Sequence, residues 1–250
     1  MEKSGKVINN AFYDDLKEEW MEREDHPIAL LRAENQIRNP WIAKVIKERK
    51  KTSAKVLDIG CGGGLLTNYL AKEGHQVSGI DLSTSSLEIG IKNDLSKTVE
   101  YRQANAYALP YQNGIFDVVT AMDVLEHVEN PEKVISEASR VLSKDGLFFF
   151  HTFNRNLLSY LLVIKGVEWF IPNTPKNMHV YPLFIKPKEL QILCREHQLF
   201  FEDTLGLRPS FNMSFFWKRL ISRNSAVNIE FTFSKSLMTG YCGFAIKSTV

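Results

Sequence analysis

Apolar and polar positions change their rhythm twice along the chain, and the two changes divide it into three parts. Between residues 9 and 49 apolar residues recur at helical spacing, with Phe12, Leu16 and Trp20 on one face, then Ile28 and Leu31, then Ile37, Trp41 and Val45. A helical lead-in is expected there. From Lys55 onward short apolar runs alternate with amphipathic stretches: KVLDIG, a helix over Leu65 to Lys72, QVSGID, a helix near Thr84 to Asn93, VEYRQA, FDVVTAM, a helix from Pro131 to Leu142, and GLFFFHTF. Five strand-like runs, most of them separated by helices, predict βαβ units and an α/β fold with a doubly wound, mostly parallel sheet. After HTFNRN the alternation stops for roughly thirty residues, an insertion, before a helix opens at KPKELQILCREH. The final NIEFTFSKSLMTGYCGFAIKS reads as strand, turn and strand, adding an antiparallel edge.

Composition narrows the classes. With 250 residues, 44% hydrophobic and 24% charged, the chain suits one large globular domain. Its 31 basic and 29 acidic residues leave a net charge of +2, too near neutral for binding driven by phosphate neutralisation, so no nucleic acid partner is expected. Cys61, Cys194 and Cys242 are too widely spaced for a disulfide framework or a zinc site. The opening MEKSGKVINNAFYDDLKEEW lacks an apolar core and is rich in acids, unlike a secretory or transit sequence. A cytoplasmic location is expected.

Candidate chemistry begins at VLDIGCGGG, where Gly60, Gly62, Gly63 and Gly64 fill the turn after the first strand. In an open α/β sheet that turn lies where ligands bind, and glycine lets the backbone approach them closely. The dinucleotide spacing fails: counted from Gly60 the third required glycine falls on Leu65, and from Gly62 on Thr67. Asp58 at the mouth of the loop would repel a pyrophosphate and attract a cation. Asp81, at the end of the second strand, stands where a carboxylate accepts ribose hydroxyls. Together these point to S-adenosylmethionine, a cationic ligand without phosphate. Asn105, after the third strand, either reaches the adenine amino group or forms a turn.

The segments VLDIGCGGG, GIDLS, FDVVTAMDVLEHVENP and LSKDGLFFF resemble class I S-adenosylmethionine-dependent methyltransferases. RNPWIAKVI, MDVLEHVENP, HTFNRN and HVYPLFIKPKEL are in addition similar to the ubiquinone-biosynthesis O-methyltransferase family, which methylates hydroxyls of polyprenylated phenol and quinol intermediates. The resemblance implies a Rossmann-like sheet of seven strands with an antiparallel C-terminal strand. It implies one methyltransferase domain over 1–250, made of the lead-in (9–49), a cofactor-binding core (55–152), an insertion over the acceptor site (155–185) and a C-terminal helix with edge strands (186–250). It further implies cofactor contacts from Arg38, which would reach the amino-acid carboxylate, and from Gly60, Asp81 and Met122, with Cys61, Gly62, Gly64, Leu82 and Ala106 around them.

The acceptor chemistry follows the fourth strand. Asp123, Glu126 and His127 lie at i, i+3 and i+4, one side of a helical turn. The family carries two glutamates and a histidine there, proposed to hold a divalent cation, and Asp123 replaces the first with a shorter arm. Three roles stay open: a site for Mg or Zn, a cluster in which His127 is a plain base, or side chains that only hydrogen-bond neighbouring loops and backbone. His151, ending the fifth strand, and His179, in the insertion, compete as the base that a phenol requires. Asn154 and Arg155 fit loop-capping equally well.

Within the insertion, eleven of the fifteen residues from Leu157 to Ile171 are apolar, too short a run to span a bilayer. It is either a buried helix or a lid at a membrane surface. FNMSFFWKRLISR, with Phe215, Phe216 and Trp217 beside Lys218, Arg219 and Arg223, has the aromatic and basic mixture of an interfacial helix. A lipid-like substrate, peripheral contact with the inner face of the membrane and a complex with other quinone-biosynthesis enzymes are the expected partners. Two rivals stand beside this reading: the same cofactor with a soluble or tRNA acceptor, and a non-catalytic cofactor-binding subunit.

Overall fold

The computed structural model describes residues 8–50, 52–210 and 229–248. Eight strands form one sheet in the order β3-β2-β1-β4-β5-β8-β6-β7. They are β1 (Lys55–Ile59), β2 (Gln76–Asp81), β3 (Glu100–Gln103), β4 (Phe116–Met122), β5 (Leu142–Phe153), β6 (Leu199–Pro209), β7 (Phe231–Ser234) and β8 (Gly240–Lys247). β1 to β5 are parallel, β8 runs against both β5 and β6, and β7 runs against β6. The expected class I sheet is therefore present, with β7 as an eighth strand at its edge. The two last strands do not pair with each other; they flank β6.

The lead-in is α1 (Phe12–Asp15), α2 (Glu19–Glu22) and α3 (Ile28–Lys50). Crossovers α4 (Leu65–Lys72), α5 (Thr84–Asn93) and α6 (Pro131–Val141) follow β1, β2 and β4, and α9 (Pro187–Glu196) precedes β6. In the insertion, α7 (Leu157–Ser159), a π-helical stretch Tyr160–Gly166 and α8 (Val167–Phe170) run on as one helical segment.

Strand alternation sorts side chains between the two faces. Leu57, Ile59, Phe148 and Phe150 pack with Val134, Ile135 and Ala138 of α6 and Leu190 of α9. Val56, Leu147 and Phe149 pack with Ile42 and Ile46 of α3 and Leu66 and Leu70 of α4. Helices thus cover both faces, as a parallel sheet requires. The carboxyl ends of β1, β2, β4 and β5 open on one rim, where the chemistry-bearing residues gather.

Candidate active site

The glycine loop hangs from β2, because the N–H groups of Gly60 and Cys61 both donate to the Ile80 carbonyl, at 2.8 and 3.0 Å. Gly60, Gly62 and Gly64 take φ of 69°, 51° and 80°, a left-handed conformation that favours glycine. What comes close to this backbone is first of all the protein itself. A Cβ on Gly62 would lie 2.6 Å from Trp20, one on Gly63 2.9 Å from the same indole, and one on Gly64 3.0 Å from the Gly90 Cα. Trp20 is buried on the loop and donates from Nε1 to Ser86 Oγ at 3.1 Å. This contact of the lead-in with the loop escaped the sequence reading, which placed Trp20 only on an apolar helical face.

The two acids differ in role. Asp58 is buried beneath the loop rather than at its mouth, with Thr67 Oγ1 donating to it at 2.8 Å and Thr120 Oγ1 at 2.5 Å. Burial pushes its carboxyl up to about 6. The expected attraction for an incoming cation is thus shielded by two hydroxyls. Asp81 is half-buried at the end of β2 and accepts from Gly62 N and Ser83 N, both at 2.9 Å. One N–H per oxygen leaves lone pairs free for a diol. Leu82 beside it is exposed, Cys61 is buried, and Ala106 and Met122 are partly buried against the two cores. Asn105 is a turn former: its Oδ1 accepts from Tyr107 N at 2.9 Å.

At the end of β4 the polypeptide turns sharply, with Asp123 at φ of 59°. That turn sends the carboxylate to Arg38 of α3, Nη1 to Oδ1 at 2.9 Å and Nη2 to Oδ2 at 2.6 Å. Glu34, one helical turn before Arg38, adds a contact at 3.2 Å, and His151 Nδ1 lies against Asp123 Oδ1. Burial works against the Asp123 charge, but Arg38 and His151 outweigh it and hold the carboxyl below the usual range. Glu34 and this four-membered network were also missed. The Glu-to-Arg spacing of four on a helix was the available signal.

Glu126 and His127 follow in a single 3-10 turn, Leu125–His127. Both are buried. Burial, then the nearby charge of Asp123, pushes the Glu126 carboxyl up, and Glu126 faces inward near Thr152 and Tyr241. Asn10 Nδ2 donates to the His127 carbonyl at 3.0 Å, which turns Asn10 Oδ1 toward His127 Nδ1 at 3.1 Å. An amide oxygen only accepts, so Nδ1 carries the proton and Nε2 the lone pair. Burial lowers His127 to about 4. His179 of the insertion lies with its ring 5.3 Å from that of His127, and burial, reinforced by His127, lowers it to about 3.

The geometry gives the metal expectation no support. Asp123, Glu126 and His127 do not converge: the three face Arg38 and His151, the interior, and Asn10 respectively. Among the described residues the group whose ligand atoms do approach one another is Glu34, Asp123 and His151; Glu34 and Asp123 are taken up by the Arg38 guanidinium, and His151 reaches Asp123. Neither set fits Mg or Zn as folded. Asn154 and Arg155 are structural. Asn154 Nδ2 donates to the Leu237 carbonyl at 2.7 Å, and Arg155 pairs with Glu189 at 2.6 and 2.8 Å. The aromatic and basic stretch around Phe215, Phe216, Trp217, Lys218, Arg219 and Arg223 lies outside the described residues.

Residues 57–150 match a family described as a methyltransferase domain. The chain is similar over 96% of its length to a magnesium protoporphyrin IX methyltransferase from Synechocystis PCC 6803, solved with SAH bound, with a TM-score of 0.65 at 16% identity and 96% of that chain covered. At that identity the likeness speaks to the fold. A ubiquinone biosynthesis O-methyltransferase of Leptothrix cholodnii is 35% identical over 222 residues, 87% of this chain and 92% of the relative. One from Albidiferax ferrireducens is 33% identical over 232 residues, 90% of this chain and 88% of the relative. With the rim of acids, glycines and histidines at the ends of β1, β2 and β4, these relatives make the chain a methyltransferase belonging to the ubiquinone biosynthesis O-methyltransferase family.

Proposed function

We propose that this enzyme transfers the methyl group of S-adenosylmethionine to a hydroxyl of a polyprenylated phenol or quinol in ubiquinone biosynthesis, with 1–250 working as one unit. The observation that carries the reading is the meeting, on one rim, of Asp81 and the glycine loop with His127 and His179, whose rings are 5.3 Å apart. The residues present fit the cofactor. Arg38 carries a fork suited to a carboxylate, closed in this state by Asp123, Asp81 has lone pairs for a ribose diol, and the loop carries no side chains at its left-handed positions. In this reading Gly60, Gly62, Gly64, Leu82, Ala106 and Met122 line the remainder.

When bound, S-adenosylmethionine supplies an electrophilic methyl group on a sulfonium. The protein's task is chiefly alignment for in-line transfer, worth up to about 7 to 11 kcal/mol in favourable cases. The acceptor proton must also leave. His127 is neutral at pH 7, with its Nε2 lone pair set by Asn10, and is the base in this reading; His179 orients the hydroxyl from the insertion. Because a free phenol has a pKa near about 10, the proton moves as the methyl arrives rather than beforehand.

No helix among the described residues is long and apolar enough to cross a membrane. We further infer peripheral contact with the cytoplasmic face of the membrane through the insertion, where Leu157 and Trp169 are 69% and 68% exposed. Such contact would let a lipid-like acceptor enter, and would bring the chain beside other enzymes of the pathway. The direct test is turnover. Purified protein with S-adenosylmethionine and a detergent-dispersed prenylated catechol should yield SAH and one O-methyl product in equal amounts by mass spectrometry. Turnover confined to a soluble, tail-free acceptor would refute the lipid assignment, and SAH formed with no O-methyl product would refute O-methylation.

A further inference from the structure

Arg38 is 1% exposed, and the paired edge of its guanidinium is already engaged by both oxygens of Asp123. Its Nε, equally buried, has no partner. The anion on this fork therefore comes from the chain itself, through a residue whose backbone sits at φ of 59° just past β4. A guanidinium edge grips one carboxylate at a time in two parallel hydrogen bonds. A further carboxylate added beside Asp123 and Glu34 would put three anions around one cation in a site shielded from water, where like charges repel strongly.

The two sides of the pair are not equally fixed. Arg38 is held within the long helix α3. Asp123 lies in the loop after β4 with its side chain 17% exposed, and His151, fully buried on β5, touches it from the other side. Asp123 thus already has a second partner, buried on a strand.

We propose that Asp123 holds the place on Arg38 that the amino-acid carboxylate of the cofactor takes on binding, and that His151 retains Asp123 when the two anions exchange. The proposal rests on the cofactor reading given above. It makes Asp123 and His151 positioning residues for the cofactor, acting through Arg38. Its consequence is that the cofactor carboxylate contributes less affinity than a free arginine fork would allow, because the competent arrangement must first displace an internal competitor.

S-adenosylhomocysteine and its decarboxylated form, S-adenosyl-3-thiopropylamine, differ only in the carboxylate, so the ratio of their affinities reports that group alone. Both would be titrated by calorimetry into wild type, Asp123→Asn and His151→Gln. Removing the competitor should raise the preference for S-adenosylhomocysteine by at least about tenfold, within the usual range of coupling between sites. Removing the retaining histidine should lower it. If Asp123 only supports the fold, or grips the ammonium group that both ligands carry, the two affinities change together and the ratio stays constant, which overturns the exchange. Should Asp123→Asn fail to fold, the His151→Gln ratio decides: a fall supports the exchange and no change refutes it. Wild type that binds neither ligand would remove the cofactor reading itself, and the exchange with it.

Discussion

Arg38 and Asp123, 85 residues apart in the chain, share two hydrogen bonds of 2.9 and 2.6 Å across the seam between the helical lead-in and the sheet. The pair ties α3 to the end of β4, so the lead-in is a wall of the site and not an appendage. Removing Arg38 leaves Glu34 without its partner and Asp123 with His151 alone, so the cost lies toward the lower end of the about 3 to 5 kcal/mol of a broken buried pair. Arg38→Met is therefore expected to lose stability of that order, read as a lower urea midpoint with an unchanged slope. A midpoint within error of wild type would mean that solvent reaches Asp123 readily.

Asp81→Ala should weaken S-adenosylmethionine binding by at least tenfold, about 1.4 kcal/mol. The ribose would lose a charged acceptor, and the Gly62 and Ser83 N–H groups would lose theirs. Calorimetry on the folded variant decides, and unchanged affinity would remove the acid from the site.

The glycines of the loop should respond unequally to substitution. Gly64→Ala places a Cβ at φ of 80°, 2.2 Å from the Tyr101 hydroxyl and 3.0 Å from the Gly90 Cα, and the left-handed conformation, which Gly62 shares, costs about 1 to 2 kcal/mol on its own. Gly62→Ala strikes the Trp20 side chain instead. Combining it with Trp20→Ala should recover solubility and cofactor binding in part, whereas adding Tyr101→Phe to Gly64→Ala removes the hydroxyl clash but leaves the Gly90 backbone contact, and should recover less. Thermal melts of the four variants test the contrast.

Much of this frame was readable from residue patterns. α4, α5, β2 and β4 fall where periods of 3.6 and 2 predicted them, because each buries one face against a neighbour in the chain. The placement of β7 and β8 was not readable as strand, turn and strand. Gly240–Lys247 is buried along nearly its whole length, the mark of an interior strand, and it slots between β5 and β6. In the site, strand ends located Asp81 and the glycine loop. The direction of the Asp123 carboxylate depended on a left-handed backbone turn and on partners from two distant elements, and local spacing carries neither. Helical spacing put Asp123, Glu126 and His127 on one side, but only Leu125–His127 is helical, as one tight turn.

His127 should give the protein a recognisable acid sensitivity. Its ordinary value is 6.5, and burial lowers it to about 4 in the folded state. Between those values the unfolded chain binds the proton and the folded chain does not, so stability rises with pH through the window and is lost on acidification. At pH 5 the linkage is worth about 2 kcal/mol. His127→Gln should flatten the fall in urea midpoint between pH 7 and 5 relative to wild type. An identical slope in both proteins would place the ring in contact with solvent and weaken its assignment as a buried base.

The exposed apolar face of the insertion carries the last prediction. Leu157, Leu161, Leu162 and Trp169 stand 69%, 43%, 44% and 68% exposed along one short helical segment. Lys165 and Glu168 on the same segment neutralise each other at 2.6 Å, so attraction to lipid there would come from apolar burial and a snorkelling lysine rather than from net charge. Vesicles of neutral lipid should then bind the protein nearly as well as anionic ones, in contrast with a polybasic surface. The double variant Leu161→Ser with Trp169→Ser should lose co-sedimentation with vesicles while keeping its melting temperature, since these side chains contribute little to the core. Turnover of a prenylated acceptor embedded in vesicles should fall with it, and turnover of the same acceptor in detergent should not. A variant that melts early would show that the segment packs inward in solution, and equal activity in vesicles and detergent would show that the acceptor enters by another route.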